Sequence, residues 1–262
     1  MGYIEAVILG LVQGLTEFLP VSSSGHLVIV QDFLGVSQEG VTFEIMVHFG
    51  TALSVFWVFG YDILRILRGF WHEKRERHFA LMLFFGIIPT GLMGFFFKDS
   101  FSLLYESTIT VGFMLLITGL ILYTLNKFIP GTKGEQDMKI SDALLISVAQ
   151  GFAIIPGISR SGATITSALR LGLDQETAVR YSFLVSIPVI LGGTLMELGD
   201  LGREGFSGLT GSVLMGTCAS FMAGIFAIRL FMKFLKTGQF QYFAYYCWFA
   251  GAVTILLKLT IL

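Results

Sequence analysis

Two short polar segments hold most of the side chains that could do chemistry in an otherwise apolar chain. Residues 13–25 read QGLTEFLPVSSSG, and residues 150–162 read QGFAIIPGISRSG. Their identical Gln, Gly and Ser positions are 137 residues apart throughout (150 − 13 and 162 − 25). A repeat in which both copies interrupt an apolar run with polar residues is typical of a functional site in a membrane protein.

The first segment supplies an acid and a base. Gln13 and Glu17 are four residues apart, so they share one face of a helix. A proline after Glu17 is expected to end that helix, and Ser22–Ser24 precede a new helix with His26 in its first turn. We predict catalytic roles for Glu17, for His26 as acid/base or phosphoryl acceptor, and for Ser23.

The second segment repeats the geometry with different chemistry. Arg160 stands where the first segment has Ser23, and Ile154 stands where it has Glu17. A guanidinium matches phosphate oxygens bidentately, and the free N–H groups at the start of a helix attract anions. We therefore predict that Arg160 is catalytic. We also predict that neighbouring residues of both segments bind substrate, namely Gln13, Ser22, Ser24, Gly25, Ser159, Ser161 and Gly162.

Taken together, a carboxylate, an imidazole, several hydroxyls, two helix N-termini and one guanidinium suit a phosphorylated substrate. Glu17 could also hold Mg²⁺ or Ca²⁺ shared with the phosphate, or position a water. The residues predict phosphoryl chemistry on a lipid diphosphate and leave open direct attack by water or a covalent phospho-enzyme. Glu44 and His48, one helical turn apart, either extend this site or line a wet crevice.

The composition predicts an all-α integral membrane protein. Of the 262 residues, 54% are hydrophobic and 13% are charged, whereas soluble proteins have about 25% charged residues. The mean hydropathy is +0.78. Apolar runs of about 20 residues are present without strand-like alternation. The lipid bilayer is therefore a partner. The net charge of −1, without a basic and aromatic patch, indicates no nucleic-acid partner.

Six stretches are long and apolar enough to be transmembrane helices: residues 43–63, 79–97, 108–128, 180–199, 209–232 and 241–261. Residues 3–34 and 141–171 instead combine a short apolar segment, a Pro/Gly/Ser break and a second short apolar segment. We predict two re-entrant helix hairpins packed centrally, because irregular backbone is tolerated in a membrane only where protein or water surrounds it. Residues 1–262 then form a single membrane domain of two halves, 1–128 and 138–262.

Loop charges predict the orientation of these halves. Eleven Lys and Arg residues fall in loops on one side, whereas Lys98 and Arg203 fall on the other. The positive-inside rule places the eleven in the cytoplasm. The first hairpin then opens from outside and the second from inside. The two halves form an inverted repeat with opposed hairpin tips at mid-membrane and both termini outward.

The two segments resemble the motifs of the undecaprenyl pyrophosphate phosphatase family. The first motif is matched by Gln13, Glu17 and the run from Pro20 to His26, and the second by the run from Pro156 to Gly162. The resemblance implies a multi-pass enzyme of the bacterial inner membrane that hydrolyses undecaprenyl diphosphate to the monophosphate. It also implies recycling of the lipid carrier for peptidoglycan synthesis and resistance to bacitracin. Gln13 replaces a Glu that the motif also allows, which leaves Glu17 as the one motif carboxylate.

A second reading of the same pattern is a lipid-phosphate flippase, because inverted repeats with broken helices are also a transporter architecture. The asymmetry of the two copies favours the enzyme, since a carrier needs a binding site but not an acid, a base and a cation at one junction. The sequence does not define the oligomeric state, and a homodimer is one expectation.

Overall fold

The computed structural model describes residues 1–36, 40–97, 104, 107–125, 128–129, 131–201, 210–235 and 239–261. Within these ranges the regular structure is helical, which confirms the predicted all-α class. A short 3₁₀ helix lies at Glu135–Asp137. The α-helices are α1 (Tyr3–Phe18), α2 (Ser23–Leu34), α3 (Gly40–Val58), α4 (Gly60–Gly69), α5 (Lys74–Phe85), α6 (Ile88–Phe96), α7 (Thr108–Tyr123), α8 (Ile140–Phe152), α9 (Arg160–Arg170), α10 (Gln175–Leu201), α11 (Gly211–Leu235) and α12 (Gln241–Ile261).

Four segments of the described chain are long and apolar enough to cross a membrane: Lys74–Phe96, Gln175–Thr194, Gly211–Phe234 and Gln241–Thr260. A fifth is the pair Thr42–Val58 and Gly60–Gly69, which is bent by 71° at Phe59. The chain is thus an all-α integral membrane protein. The predicted stretch 108–128 contains the 16-residue α7, which is shorter than a full span.

Part of the evidence for orientation lies outside the described residues. Lys98, Lys127, Arg203 and Lys236 belong there, together with most of the two loops at 98–107 and 200–208. The sidedness and the count of six spans therefore stay predictions.

Two helix–break–helix units have matching geometry. In the first, Ser22 has a φ of 70° and its side chain accepts a hydrogen bond from the N–H of Gly25 at 3.3 Å. In the second, Ser159 accepts one from the N–H of Gly162 at 3.1 Å. Both serines are N-caps, each directly before the first residue of a helix. Each serine thus satisfies one of the backbone N–H groups that the start of a helix leaves without a partner.

Glycines allow the helices to approach closely in two places. A Cβ at Gly14 of α1 would lie 2.4 Å from the carbonyl oxygen of Ser220 on α11. A Cβ at Gly251 of α12 would lie 2.6 Å from the carbonyl oxygen of Gly112 on α7. Small residues at such crossings let backbones pack directly, and this packing contributes to helix association in lipid. The α1–α11 contact joins the first hairpin to the second half of the chain.

An aromatic cluster lies between α1, the junction of α3 and α4, α10 and α11. The ring of Phe183 lies 5.4 Å from Phe18, 6.0 Å from Phe59 and 5.9 Å from Phe231. These rings are buried. Since edge-to-face rings at such distances stabilise one arrangement, the cluster holds α1 against the helices that surround the first break.

A network of partly buried ion pairs connects α4, α5, α10 and the 3₁₀ helix. Arg180 of α10 pairs with Asp62 of α4 at 2.6 Å and with Glu135 of the 3₁₀ helix. Arg65 pairs with Glu76 of α5 at 3.2 Å. Because these charges have partners of opposite sign, α4, α5 and α10 are connected without an unpaired buried charge.

We predict that Gly14→Ala lowers the midpoint temperature of thermal unfolding in detergent. The added methyl group overlaps the backbone of α11, and overpacking of this kind costs about 1–3 kcal/mol. Gly91→Ala is the matched control, because a Cβ there meets nothing within 4 Å. Equal midpoints for the two variants would show that the α1–α11 contact is not as close as described.

Candidate active site

An ion pair joins the two hairpins. The Nη2 of Arg160 lies 3.1 Å from Oε1 of Glu17, although the residues are 143 positions apart in the sequence. Only 6% of the Glu17 side chain and 13% of the Arg160 side chain are exposed. Arg160 Nη1 also donates to the carbonyl of Ser182 at 3.1 Å. The acid and the cation that the sequence places in separate repeats therefore meet.

The second oxygen of Glu17 receives two more hydrogen bonds. Its Oε2 accepts from Gln13 Nε2 at 3.0 Å and from the hydroxyl of Ser23 at 2.5 Å. Ser23 is the first residue of α2, directly after its N-cap. A serine hydroxyl bonded to a carboxylate that other groups orient is the arrangement of an activated nucleophile.

The two breaks touch each other. Ser161 donates from its hydroxyl to the carbonyl of Leu19 at 3.1 Å. A Cβ at Gly25 would lie 3.0 Å from the Cα of Gly157, so the close approach of the breaks requires a glycine there. The hydroxyls of the Ser22/Ser24 pair and of the Ser159/Ser161 pair are 3.4 and 3.3 Å apart. The predicted serines are thus all gathered at the junction.

The amides of Gly25 and Gly162 each have a partner within their own break. Both N–H groups donate to their N-cap serines. The first two amides of each helix have no partner within the helix, so they are the ones that can receive an anion. These are the amides of Ser23 and Ser24 in α2 and of Arg160 and Ser161 in α9.

A cleft of about 150 Å³ opens at this junction. A cleft of this size is on the scale of a phosphate group and not of a long lipid tail. Its polar side is provided by Glu17, Ser22, Ser23, Ser24, His48, Thr90, Gln150, Ser159 and Arg160, and its apolar side by Ala153, Ile154, Ile158, Val189 and Ile190.

His26 lies behind the cleft rather than in its lining. Its Nδ1–H donates to the carbonyl of Ser22 at 2.7 Å, and its Nε2 accepts from the hydroxyl of Tyr246 at 2.7 Å. The two rings are also stacked, with centroids 5.5 Å apart. With both nitrogens engaged, His26 is placed to hold the first break in shape. Its predicted role as acid/base or phosphoryl acceptor is not supported by this geometry.

Three further side chains line the cleft. His48 of α3 has its Nε2 4.0 Å from Oε2 of Glu17. Gln150 donates from Nε2 to the hydroxyl of Thr90 at 3.1 Å, which itself donates to the carbonyl of Ser147 at 2.8 Å. The sequence left open whether His48 extends the site. It did not predict Thr90, whose only indication in the sequence is a hydroxyl directly after a proline. Glu44 is not part of the lining.

The second break depends on Thr118 of α7. Its hydroxyl donates to the carbonyl of Gly157 at 2.7 Å and accepts from the N–H of Ser159 at 3.1 Å. Gly157 has a φ of 95°, in the region that favours glycine. The threonine therefore satisfies two buried backbone groups that no helix ladder can satisfy.

The residues at the cleft do not form a metal site by themselves. No group of three or more His, Cys, Asp or Glu side chains suited to a metal occurs in the part of the chain that the structure describes. Glu17 is the one carboxylate in the lining, and both its oxygens already accept hydrogen bonds. A protein-held divalent cation usually needs more oxygen ligands than this.

The fold and the site together define a class: all-α membrane proteins with a polar cleft where two broken helices meet. A family model for "Bacitracin resistance protein BacA" matches residues 6–253, so the chain belongs to this family. The chain is 45% identical to an undecaprenyl-diphosphatase of Halothermothrix orenii, with 98% of each chain covered. It is 43% identical to one of Alkaliphilus metalliredigens (97% of this chain, 98% of the relative) and 39% identical to one of Methanosphaera stadtmanae (98% and 99%). The family resemblance read from the two motifs is confirmed.

We predict that Thr118→Val lowers both the unfolding midpoint and the catalytic rate. Valine keeps the shape but leaves the Gly157 carbonyl and the Ser159 N–H without partners, at about 1–3 kcal/mol for each buried group. Thr124→Val is the matched control, because the exposed Thr124 hydroxyl bonds only to the carbonyl of Ile121 in its own helix. The role of Thr118 is refuted if both variants match the wild type in calorimetry and in rate.

Proposed function

We propose that this protein hydrolyses undecaprenyl diphosphate to undecaprenyl phosphate and inorganic phosphate. The reaction returns the lipid carrier to cell-wall synthesis and confers resistance to bacitracin. The observation that carries the proposal is the Ser23–Glu17–Arg160 constellation at the junction of the two breaks. It occurs in a chain that matches undecaprenyl-diphosphatases along nearly its whole length.

The dimensions of the cleft support a lipid diphosphate as substrate. The cleft has room for the phosphate end of the molecule, and its apolar side is lined by Ile154, Ile158, Val189 and Ile190. The polyprenyl tail then stays in the bilayer between the helices, where its transfer to water is avoided. The diphosphate enters with its terminal phosphate towards Ser23 and Arg160.

Ser23 is the nucleophile in the mechanism that the geometry favours. Its hydroxyl oxygen bonds to the terminal phosphorus while the bond from that phosphorus to the bridging oxygen breaks. The electron pair leaves on undecaprenyl phosphate, and the proton of Ser23 passes to Oε2 of Glu17, to which the hydroxyl is already bonded. Arg160 on Oε1 and Gln13 on Oε2 keep the carboxylate in place for this transfer.

Arg160 and the helix N-termini stabilise the charge that develops on the phosphoryl oxygens. In phosphoryl transfer the transition state spreads negative charge over the non-bridging oxygens, so catalysis is mainly positioning and electrostatic stabilisation. The guanidinium has an Nη1 bonded to Ser182 and an Nη2 bonded to Glu17, which fixes its plane at the cleft. The uncapped amides at the starts of α2 and α9 add donors on the same side.

We place the protein in the bacterial plasma membrane with the cleft open to the outer face and both termini outward. The proposal includes six spans and two opposed re-entrant hairpins, as halves 1–128 and 138–262 of an inverted repeat. The matched N-caps Ser22 and Ser159, 137 positions apart, support it. So does the excess of Lys and Arg in the loops of one side.

A divalent cation, Mg²⁺ or Ca²⁺, is proposed to arrive with the diphosphate. The substrate carries the oxygen ligands that the cleft lacks, and Mg²⁺ in phosphate-handling sites is typically held by substrate phosphates together with water. The ion would neutralise charge on the diphosphate as it enters. The protein then does not need to supply a complete set of ligands for the ion.

We predict that the purified protein in detergent releases phosphate from undecaprenyl diphosphate and that Arg160→Ala lowers kcat/KM by about 10²–10³-fold, the usual loss for one transition-state donor. The matched control is Arg170→Ala at the far end of the same helix α9, where the exposed side chain donates to the carbonyl of Thr124 and lies over the ring of Phe128, away from the cleft lining. Detergent has no second compartment, so a lipid flippase would release no phosphate. Near-normal activity of Arg160→Ala would rule out this site.

We further predict that Ser23→Ala lowers kcat by at least about 10³-fold, because a nucleophile is removed without loss of the remaining donors. Acid quench of the wild type during turnover, followed by mass spectrometry, should find phosphate on the peptide that contains Ser23. Ser141→Ala, an exposed serine in the first turn of α8, is the control and should behave as the wild type. Full turnover by Ser23→Ala would contradict a covalent step.

A further inference from the structure

His48 is the histidine whose ring faces the cleft. The sequence has four histidines, all within the described ranges. His72 is exposed on the turn between α4 and α5, and His78 has its Nε2 on the carbonyl of Met138 at 2.9 Å. His26 has partners on both nitrogens. This leaves His48, which lines the cleft with 30% of its side chain exposed.

The hydrogen bonds of His48 define its tautomer. Its Nδ1 lies 2.8 Å from the carbonyl oxygen of Glu44, and a carbonyl only accepts, so Nδ1 carries the proton. In the neutral ring Nε2 then has a free lone pair. This nitrogen is 4.0 Å from Oε2 of Glu17, too far for a direct hydrogen bond but suited to a water that lies between polar groups.

The backbone at His48 is held firmly. The hydroxyl of Thr51 donates to the His48 carbonyl at 2.7 Å. Ser220 of α11 donates to the carbonyl of Val47, the residue before His48. Gly50 packs so closely on α11 that a Cβ would lie 2.5 Å from the carbonyl oxygen of Thr217. The imidazole is therefore positioned by packed helices and not by a loop.

Hydrolysis of a phosphoserine requires a second proton acceptor. In the first step Glu17 receives the proton of Ser23, and its Oε2 already accepts from Gln13 and Ser23. Its Oε1 accepts from Arg160. Glu17 is thus committed to the serine, while the water that attacks the phosphoserine needs another group to take its proton. The lining provides one candidate with a free lone pair on a ring nitrogen, namely His48.

We propose that His48 is the catalytic base of the second step, in which the phosphoserine formed under the proposed function is hydrolysed. Water oxygen bonds to phosphorus while the bond from phosphorus to the Ser23 oxygen breaks. The proton of the water passes to Nε2 of His48, and the Ser23 oxygen takes back its proton from Glu17. Inorganic phosphate leaves, and His48 returns its proton to solvent through the cleft.

The test is rapid-quench kinetics of the purified full-length protein, with both products measured. His48→Ala should release undecaprenyl phosphate in a burst of about one equivalent per protein, followed by steady-state turnover slower by about 10²–10⁴-fold, the usual contribution of a general base. Phosphate should stay on Ser23 during the slow phase. His48→Gln, which keeps a hydrogen-bond acceptor but no base, should show the same burst. His72→Ala should match the wild type.

Two results would overturn the inference. One is turnover of His48→Ala within twofold of the wild type. The other is an equal fall in the release of both products by His48→Ala without phosphate on Ser23, in a variant whose unfolding midpoint shows that it is folded. That result would place His48 outside the second step. Added imidazole should restore phosphate release by His48→Ala, as expected if the missing side chain is a base. Failure of the proposed function is a distinct outcome, since the wild type itself would then release no phosphate.

Discussion

The buried pair of Glu17 and Arg160 is the interaction on which the rest of the site depends. A carboxylate and a guanidinium inside an apolar helix assembly are costly unless they are paired and hydrogen-bonded. Here every oxygen of the carboxylate has a donor, and the guanidinium donates to both Glu17 and the Ser182 carbonyl. Removing one partner of such a pair typically costs about 3–5 kcal/mol, so the charges also hold the two breaks together.

This constraint explains why the surrounding elements are built as they are. In each hairpin one helix ends and a second begins beside the cleft, and the start of each second helix needs an N-cap. Ser22 and Ser159 provide the caps, Gly25 allows the breaks to touch, and Thr118 satisfies the irregular backbone of the second break. The polar groups of the site are thus oriented before substrate arrives, which is the condition for electrostatic catalysis.

Much of this arrangement could be predicted from the sequence because its signals are local. Pro20 and Pro156 with their neighbouring serines indicate the breaks, and the inverted repeat predicts that Glu17 of one copy faces Arg160 of the other. The partners that come from distant helices had no such signal. Tyr246 is 220 positions from His26, and only the packing of α12 shows that it occupies the Nε2 of that ring.

Two other differences between the predicted and the observed structure also arise from contacts between distant residues. The first predicted span bends by 71° at Phe59 without a proline, because packing of α4 against α5 and the ion pairs of Arg65 decide its direction. Likewise, the prominence of His26 in its motif suggested catalysis, whereas the three-dimensional contacts give that histidine a supporting position. His48 lies outside the two motifs, but it is the histidine that lines the cleft.

The most direct test of the central claim is an experimental structure of the protein with orthovanadate, a mimic of the phosphoryl group in its transition state. The account predicts vanadium bonded to the Ser23 oxygen, with its equatorial oxygens on the Arg160 guanidinium and on the amides that begin α2 and α9. Vanadate bound to the His26 ring, or anywhere away from the Glu17–Arg160 pair, would contradict it.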